Sequence, residues 1–235
     1  MFRTRFYQSL KLIIFSLLLF IFISCENGSN QAPAIEFEES ENTETKLDTN
    51  LVVPVNDVRI GWQKPEEVIN MLGDLNGESV ADIGAGIGYF AFRLALKADR
   101  VIALDIDPNK IEFMDAYEAA RLPKDLQDKF ETRIAREDNA NLAEDEVDNI
   151  IIINTITFIS DKKKYLQNLK KGLKKGGKLM IVDYKMKRLD IDGPDRTDRI
   201  PHYQIEDLMQ EAGYTIIKSD DTTLEYQYVV VGQYD

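Results

Sequence analysis

Apolar residues in this chain gather into short runs, separated by segments in which they recur every three or four positions. Ser79 to Ile83, Arg100 to Leu104, Phe130 to Ala135, Val147 to Ile153 and Lys178 to Val182 read as strands. Val147 to Ile153 is apolar at nearly every position, the pattern of a central parallel strand covered on both faces. Helical spacing fills the gaps. Pro65 followed by Val68, Ile69 and Leu72 predicts a short helix that Gly73 ends, and Phe90 to Lys97 a second. Asp107-Pro108 opens a third, with Ile111, Met114 and Tyr117 on its apolar face. Ser160 or Asp161 caps a fourth, in which Tyr165, Leu169 and Leu173 share a face and Gly176-Gly177 is the expected stop. A last helix spans roughly Gln204 to Ala212. Tyr214 to Lys218 and Glu225 to Gly232, parted by Ser-Asp-Asp-Thr-Thr, then form a hairpin-like pair. The alternation, without internal repeat, predicts an α/β fold.

The first residues break this pattern. Arg3 and Arg5 precede an apolar run from Leu12 to Ile23 that ends in Ser24-Cys25. Twelve helical residues span only about 18 Å against roughly 30 Å of bilayer hydrocarbon, so a signal sequence is expected rather than a spanning helix. Phe22-Ile23-Ser24-Cys25 resembles a relaxed bacterial lipobox, with Phe22 where leucine is usual. That resemblance implies a signal peptide over residues 1–24, lipidation of Cys25 and a membrane anchor; an uncleaved anchor is the alternative. Either places the folded part outside the inner membrane, because the positive charge precedes the apolar run. Residues 25–57 carry eight acids and one lysine between Glu26 and Asp57, the composition of a tether. The folded domain is then 58–235. At a formal net charge of −12 the chain is poorly matched to a polyphosphate backbone, so nucleic acid is not expected as a partner. With one cysteine no disulfide can form within the chain, and no metal site is expected.

Chemistry concentrates in Val80-Ala-Asp-Ile-Gly-Ala-Gly-Ile-Gly88, a strand that breaks into three alternating glycines ahead of a helix. Glycine lets backbone turn sharply and approach a ligand closely, and the helix start offers unpaired amides. A dinucleotide fingerprint would need glycine at position 89, where the chain has Tyr89. Asp82 lies in an apolar strand, where an acid is costly without a partner. Asp105 follows Gly84 by twenty-one residues at a strand end, where an acid can accept hydrogen bonds from both ribose hydroxyls; capping a helix is its alternative role.

The acid-x-Gly-x-Gly-x-Gly pattern at Asp82, Gly84, Gly86 and Gly88, with five β/α units and a closing strand pair, resembles the class I S-adenosylmethionine-dependent methyltransferases over about Trp62 to Gln233. The resemblance implies a Rossmann-like, seven-stranded, mostly parallel sheet with an antiparallel last strand and helices on both faces. It implies S-adenosylmethionine held by Asp82, Gly84, Ala85, Gly86, Gly88, Asp105, Ile106, Asp138, Asn139 and Asn154. Within that set Asp82 serves the methionine end and Asp105 the ribose; Asp138, or Glu137 beside it, binds the adenine amino group, and the Asn139 amide reads adenine N1. Asn154, after the fourth strand, lines the transfer site. No general base is evident there; His202, the only histidine, is the candidate if one is needed. Trp62 resembles part of an N-terminal lid, with a core or interface role as the alternative, and Tyr89 and Phe90 can face a sulfonium or simply pack. The expected activity is methylation of a small molecule. A non-catalytic binder of S-adenosylhomocysteine or another nucleoside is the alternative, because the cofactor is made in the cytosol; a nicotinamide-dependent reductase is a third reading, disfavoured by Tyr89 and the closing strands.

Overall fold

The computed structural model describes residues 57–235. The expected signal segment, tether and lipidated Cys25 lie outside them. Among the described residues no helix is long and apolar enough to cross a membrane.

Two short helices open the domain, α1 (Asp57–Gln63) and α2 (Pro65–Asn70), joined at Lys64 in a left-handed conformation. The units that follow are β1 (Ser79–Ile83), α3 (Ala91–Leu94), β2 (Arg100–Asp105), α4 (Pro108–Arg121), α5 (Lys124–Gln127), β3 (Phe130–Ile134), β4 (Val147–Ile153), α6 (Lys162–Leu169), β5 (Leu173–Tyr184), α7 (His202–Glu211), β6 (Thr215–Asp220) and β7 (Gln227–Gln233). They build one seven-stranded sheet in the order β3-β2-β1-β4-β5-β7-β6. All neighbours pair in parallel except β7, which runs antiparallel between β5 and β6. This is the α/β fold expected from the alternation of runs, in the Rossmann-like form that the resemblance implies.

Period-two alternation divides the strand side chains between two cores. Val80, Val101, Ile151, Met180 and Val229 pack under α2, α3 and α4, with Val68, Phe92, Leu94 and Met114. Ala81, Ile102, Ile150, Ile181 and Tyr228 pack under α6 and α7, with Tyr165, Leu166, Ile205 and Met209. All of these are buried, which is why the central strands carry apolar residues at both parities.

Three expectations are corrected. Helix α6 ends at Leu169, and Leu173 begins β5 opposite Val147. Gly176-Gly177 is therefore no helix stop but part of an irregularity inside β5, where the register jumps from Val147↔Leu173 to Asn149↔Lys178. Gly176 has φ +81°, and a Cβ at Gly177 would lie 2.6 Å from the Asp148 carbonyl oxygen. The Ser-Asp-Asp-Thr-Thr turn is shorter than its sequence suggests. Strand β6 runs on to Asp220, whose carboxylate accepts from the Thr222 and Thr223 amides and hydroxyls.

At the opposite end of the sheet from the glycine loop, Glu146 ties the entry to β4 to its neighbours. Arg133 donates to both Glu146 oxygens at 2.8 Å, Arg100 at 3.0 Å and the Ala143 amide at 2.7 Å. The Arg133 hydrogen bonds, the largest influence, hold this carboxyl down at about 2. A depressed acid contributes stability above its unfolded pKa and loses it as pH falls through the folded value. Glu146→Gln should therefore cost about 2 kcal/mol at pH 7 in urea unfolding, with the gap to the wild type closing as pH falls from about 5 towards 2.

Candidate functional site

The strand order reverses between β1 and β4, and ligands of open α/β sheets bind in the crevice beyond the strand ends at such a point. Here that crevice receives the glycine loop. Pairing of β1 with β2 sets Asp82 beside Ala103 and Ile83 beside Leu104, and pairing with β4 sets them beside Ile151 and Ile152. The Leu104 carbonyl then accepts from the Gly84 and Ala85 amides at 2.8 and 2.9 Å, so the end of β2 anchors the start of the loop.

All three glycines have positive φ, +74° at Gly84, +60° at Gly86 and +84° at Gly88. A Cβ at Gly84 would meet Thr155 at 2.3 Å, and one at Gly88 would meet Phe92 at 2.4 Å. Gly86 differs, because a Cβ there would have nothing within 4 Å. The outer two glycines seat the loop on its own protein, while the middle one faces open space.

Asp105 joins the loop at its tip. Its Oδ2 accepts the Gly86 amide at 2.8 Å and its Oδ1 the Asp107 amide at 3.0 Å, while Asp107 caps α4 through the Asn109 amide. A carboxylate has about four lone-pair directions, so both oxygens keep capacity for further donors. Ile106 beside it is 57% exposed, an apolar side chain held outward at a strand end.

Asp82 is 2% exposed, and its Oδ2 has no partner among the described residues. Burial, the largest influence, pushes this carboxyl up to about 7; Arg59 pulls it down, Asp105 raises it, and the Ala91 amide donates to it. A buried acid oxygen without a donor is expensive, and a cationic ligand group at this end of the loop would relieve it. Tyr89 Oη and Asp183 Oδ2 are likewise buried and without partners among the described residues.

Helix α1, which the sequence reading missed, packs against the same site. Arg59 and Arg93 each stand 4.1 Å from the centre of the Tyr89 ring. That ring is 3% exposed and is packed by protein cations rather than open to a ligand's. Trp62 lies 6.2 Å from Tyr184 and 6.4 Å from Tyr226. Asn154 follows β4 with φ +57°, and its side chain accepts from Gln227. Gln227 accepts from Gln63 at 3.0 Å, and Gln63 accepts from Arg59. An arginine and glutamine four apart, Arg59 and Gln63, were the sequence signal for this helix; Gly61 between them obscured it.

The structure thus brings together Asp82, the Gly84–Gly88 loop, Asp105, Ile106 and Asn154. Asp138 and Asn139 stand in the loop after β3. The Asp138 side chain is 79% exposed, with Arg136 at 3.6 Å. The Asn139 amide donates to the Arg136 carbonyl at 3.2 Å, a bond that commits the group assigned to adenine N1.

His202 does not join the group. It begins α7, stacks on Tyr228 at 4.9 Å, lies 2.8 Å from Ser219 Oγ, and has Glu206 at 3.8 Å. Tyr228 faces the core under α6 and α7, on the other side of β7 from Gln227. Its ring contacts are with Tyr228, Ser219 and Glu206, and no residue of the glycine loop is among them. Among the described residues no group of acidic, histidine or cysteine side chains could hold a metal ion.

Comparison with known proteins agrees with this fold. Residues 74–227 match the family described as a methyltransferase domain. The chain is 28% identical over 184 residues to phosphoethanolamine N-methyltransferase 3 of Arabidopsis thaliana, covering 74% of this chain and 36% of that protein. It is 31% identical over 159 residues to a tRNA U34 carboxymethyltransferase of Psychrobacter arcticus, covering 60% and 39%. The chain therefore spans well under half the length of these curated relatives. Among solved structures, a SAM-dependent methyltransferase from Aquifex aeolicus superposes with a TM-score of 0.70 at 22% identity, over 77% of this chain and 94% of that one. A putative type 11 methyltransferase from Sulfolobus solfataricus gives 0.59 at 19% identity, over 73% and 92%.

Proposed function

Because this chain belongs to the methyltransferase-domain family, we propose that it transfers a methyl group from its cofactor, S-adenosylmethionine, to a small-molecule acceptor. The observation that carries the reading is the pairing of a buried Asp82 oxygen, without a partner among the described residues, with the open space over Gly86 and the half-satisfied Asp105 carboxylate. An ammonium matches the first, a backbone-hugging nucleoside the second, and a ribose diol the third.

In this reading Asp82 neutralises the amino group of the methionine end, Asp105 accepts from the ribose hydroxyls, Ile106 packs on the base, and Asp138 reaches its amino group from the outer loop. Bound there, S-adenosylmethionine supplies a methyl carbon already activated by its sulfonium. The work left to the protein is alignment and exclusion of water. Helix α1 with Trp62, Tyr184 and Tyr226 provides an apolar wall for that purpose, and Asn154 fixes the side on which an acceptor lies. A neighbouring general base is not required of an acceptor that already carries its lone pair.

Net charge separates the acceptor classes suggested by the relatives. At −12, the chain repels a polyphosphate, which favours a small molecule over tRNA. With methyl-labelled cofactor and separate pools of small metabolites and tRNA, label should enter the small-molecule fraction. Label in tRNA instead would overturn that assignment. The N-terminal arginines, apolar run and Cys25 support an extracytoplasmic, lipid-anchored location for the domain. Labelled palmitate should then enter the protein and be lost in Cys25→Ala.

A further inference from the structure

Four side chains from three distant parts of the chain form one line of hydrogen bonds towards the acceptor side of the site. Arg59 Nε donates to Gln63 Oε1, Gln63 Nε2 donates to Gln227 Oε1 at 3.0 Å, and Gln227 Nε2 donates to Asn154 Oδ1. Both glutamines are fully buried, at 0% exposure, so water cannot replace a missing partner.

An amide can be turned end for end, and three amides in series could in principle run in either direction. A guanidinium cannot, because every one of its nitrogens donates and none accepts. Arg59 therefore fixes Gln63 with its oxygen towards α1 and its nitrogen towards β7. Gln227 must follow, and then Asn154. At the end of the line Asn154 has its oxygen committed to the protein, while its Nδ2 has no partner among the described residues and the residue is partly exposed at the strand end.

We infer that Arg59 sets the polarity of this line so that Asn154 turns its Nδ2 donor to the transfer site, and that the acceptor substrate presents an oxygen to it, as a carboxylate, phosphate or carbonyl. The inference rests on the reading that the methyl acceptor binds beside Asn154. Gln63 and Gln227 are positioning residues in this scheme: they touch no substrate and act by holding one orientation of a third side chain. A protonated amine placed against Asn154 would meet two donors, so an amine-bearing acceptor must direct its ammonium elsewhere and its oxygen here.

The polarity is measurable without knowing the substrate. In side-chain amide ¹⁵N–¹H spectra of the full chain, with the Asn154 signal identified by its loss in Asn154→Asp, the Asn154 Nδ2 protons should exchange freely with water while those of Gln63 and Gln227 are protected. Inorganic phosphate or acetate should shift the Asn154 signal, and methylammonium should not. Gln227→Glu removes the donor to Asn154 and creates an acceptor, which turns the Asn154 nitrogen inward. Gln63→Glu reaches the same end by reversing Gln227. Either variant should protect the Asn154 protons and weaken the phosphate response about tenfold or more.

Protected Asn154 protons in the wild type, or a response to methylammonium and not to the anions, would overturn the inference; the wild-type spectrum decides it even if a variant fails to fold. S-adenosylhomocysteine titrated into the same sample separates the two claims. Binding with the opposite polarity sinks only the relay, whereas no binding sinks the cofactor reading and leaves the polarity readable.

Discussion

Asp105→Ala should weaken binding of S-adenosylmethionine by roughly a hundredfold, about 3 kcal/mol. The size follows from two losses at once. The carboxylate holds the Gly86 amide and the Asp107 amide, so its removal frees the tip of the glycine loop from the start of α4. It also removes the acceptor for the ribose hydroxyls, and hydrogen bonds to a charged group are the stronger kind. Asp105→Asn keeps one carbonyl oxygen and should fall between. Asp138→Ala is the comparison that gives the first number meaning. That side chain is exposed and replaceable by water, so its loss should cost no more than about tenfold. Equal effects at the two positions would contradict the ribose role of Asp105.

Asp82 should make cofactor affinity depend on pH, and the sign can be worked out from its environment. Burial, more than any other influence, lifts its carboxyl to about 7, so near pH 6 most of the free protein carries it protonated. An ammonium at the partnerless oxygen favours the carboxylate, and binding there must expel a proton. Affinity should climb with pH, by up to tenfold per unit below 7, and level off above it. Calorimetry in buffers of different ionisation enthalpy reads the released proton directly.

The ligand-free protein should show the opposite trend in stability. An acid with a raised pKa contributes fully below its unfolded value, near 3.8, and loses that contribution as pH rises through 7. Asp82→Asn should flatten both profiles and weaken binding ten- to a hundredfold. An unaltered pH profile in that variant would remove Asp82 from the cofactor's amino end.

Much of this was legible in the chain before folding. The central strands could be read because a parallel strand buried on two faces leaves an apolar run; six of the seven strands begin within a residue of, or inside, the run that announced them. The loop could be read because its backbone shape admits only glycine at Gly84 and Gly88 and rewards it at Gly86. Asp105 was visible because strand length fixes its distance from the loop.

What stayed hidden depends on residues that meet only in three dimensions. Gln63 and Gln227 are 164 positions apart, and either alone reads as a surface glutamine. Leu173 fits the α6 stripe and also the start of β5; pairing with Val147 decides between them. His202 looked available because it is the sole histidine near a substrate-side loop, yet no local pattern reveals that Tyr228 and Ser219 claim its ring.

The central claim is that Asp82, the glycine loop and Asp105 form a site for a sulfur nucleoside and not for a dinucleotide. Calorimetric titration of the purified protein with S-adenosylmethionine, S-adenosylhomocysteine and NAD tests it most directly. Saturable binding of both sulfur nucleosides, lost in Asp105→Ala, with no binding of NAD, is the predicted result. Absence of binding by either sulfur nucleoside, or tighter binding of NAD, would contradict it.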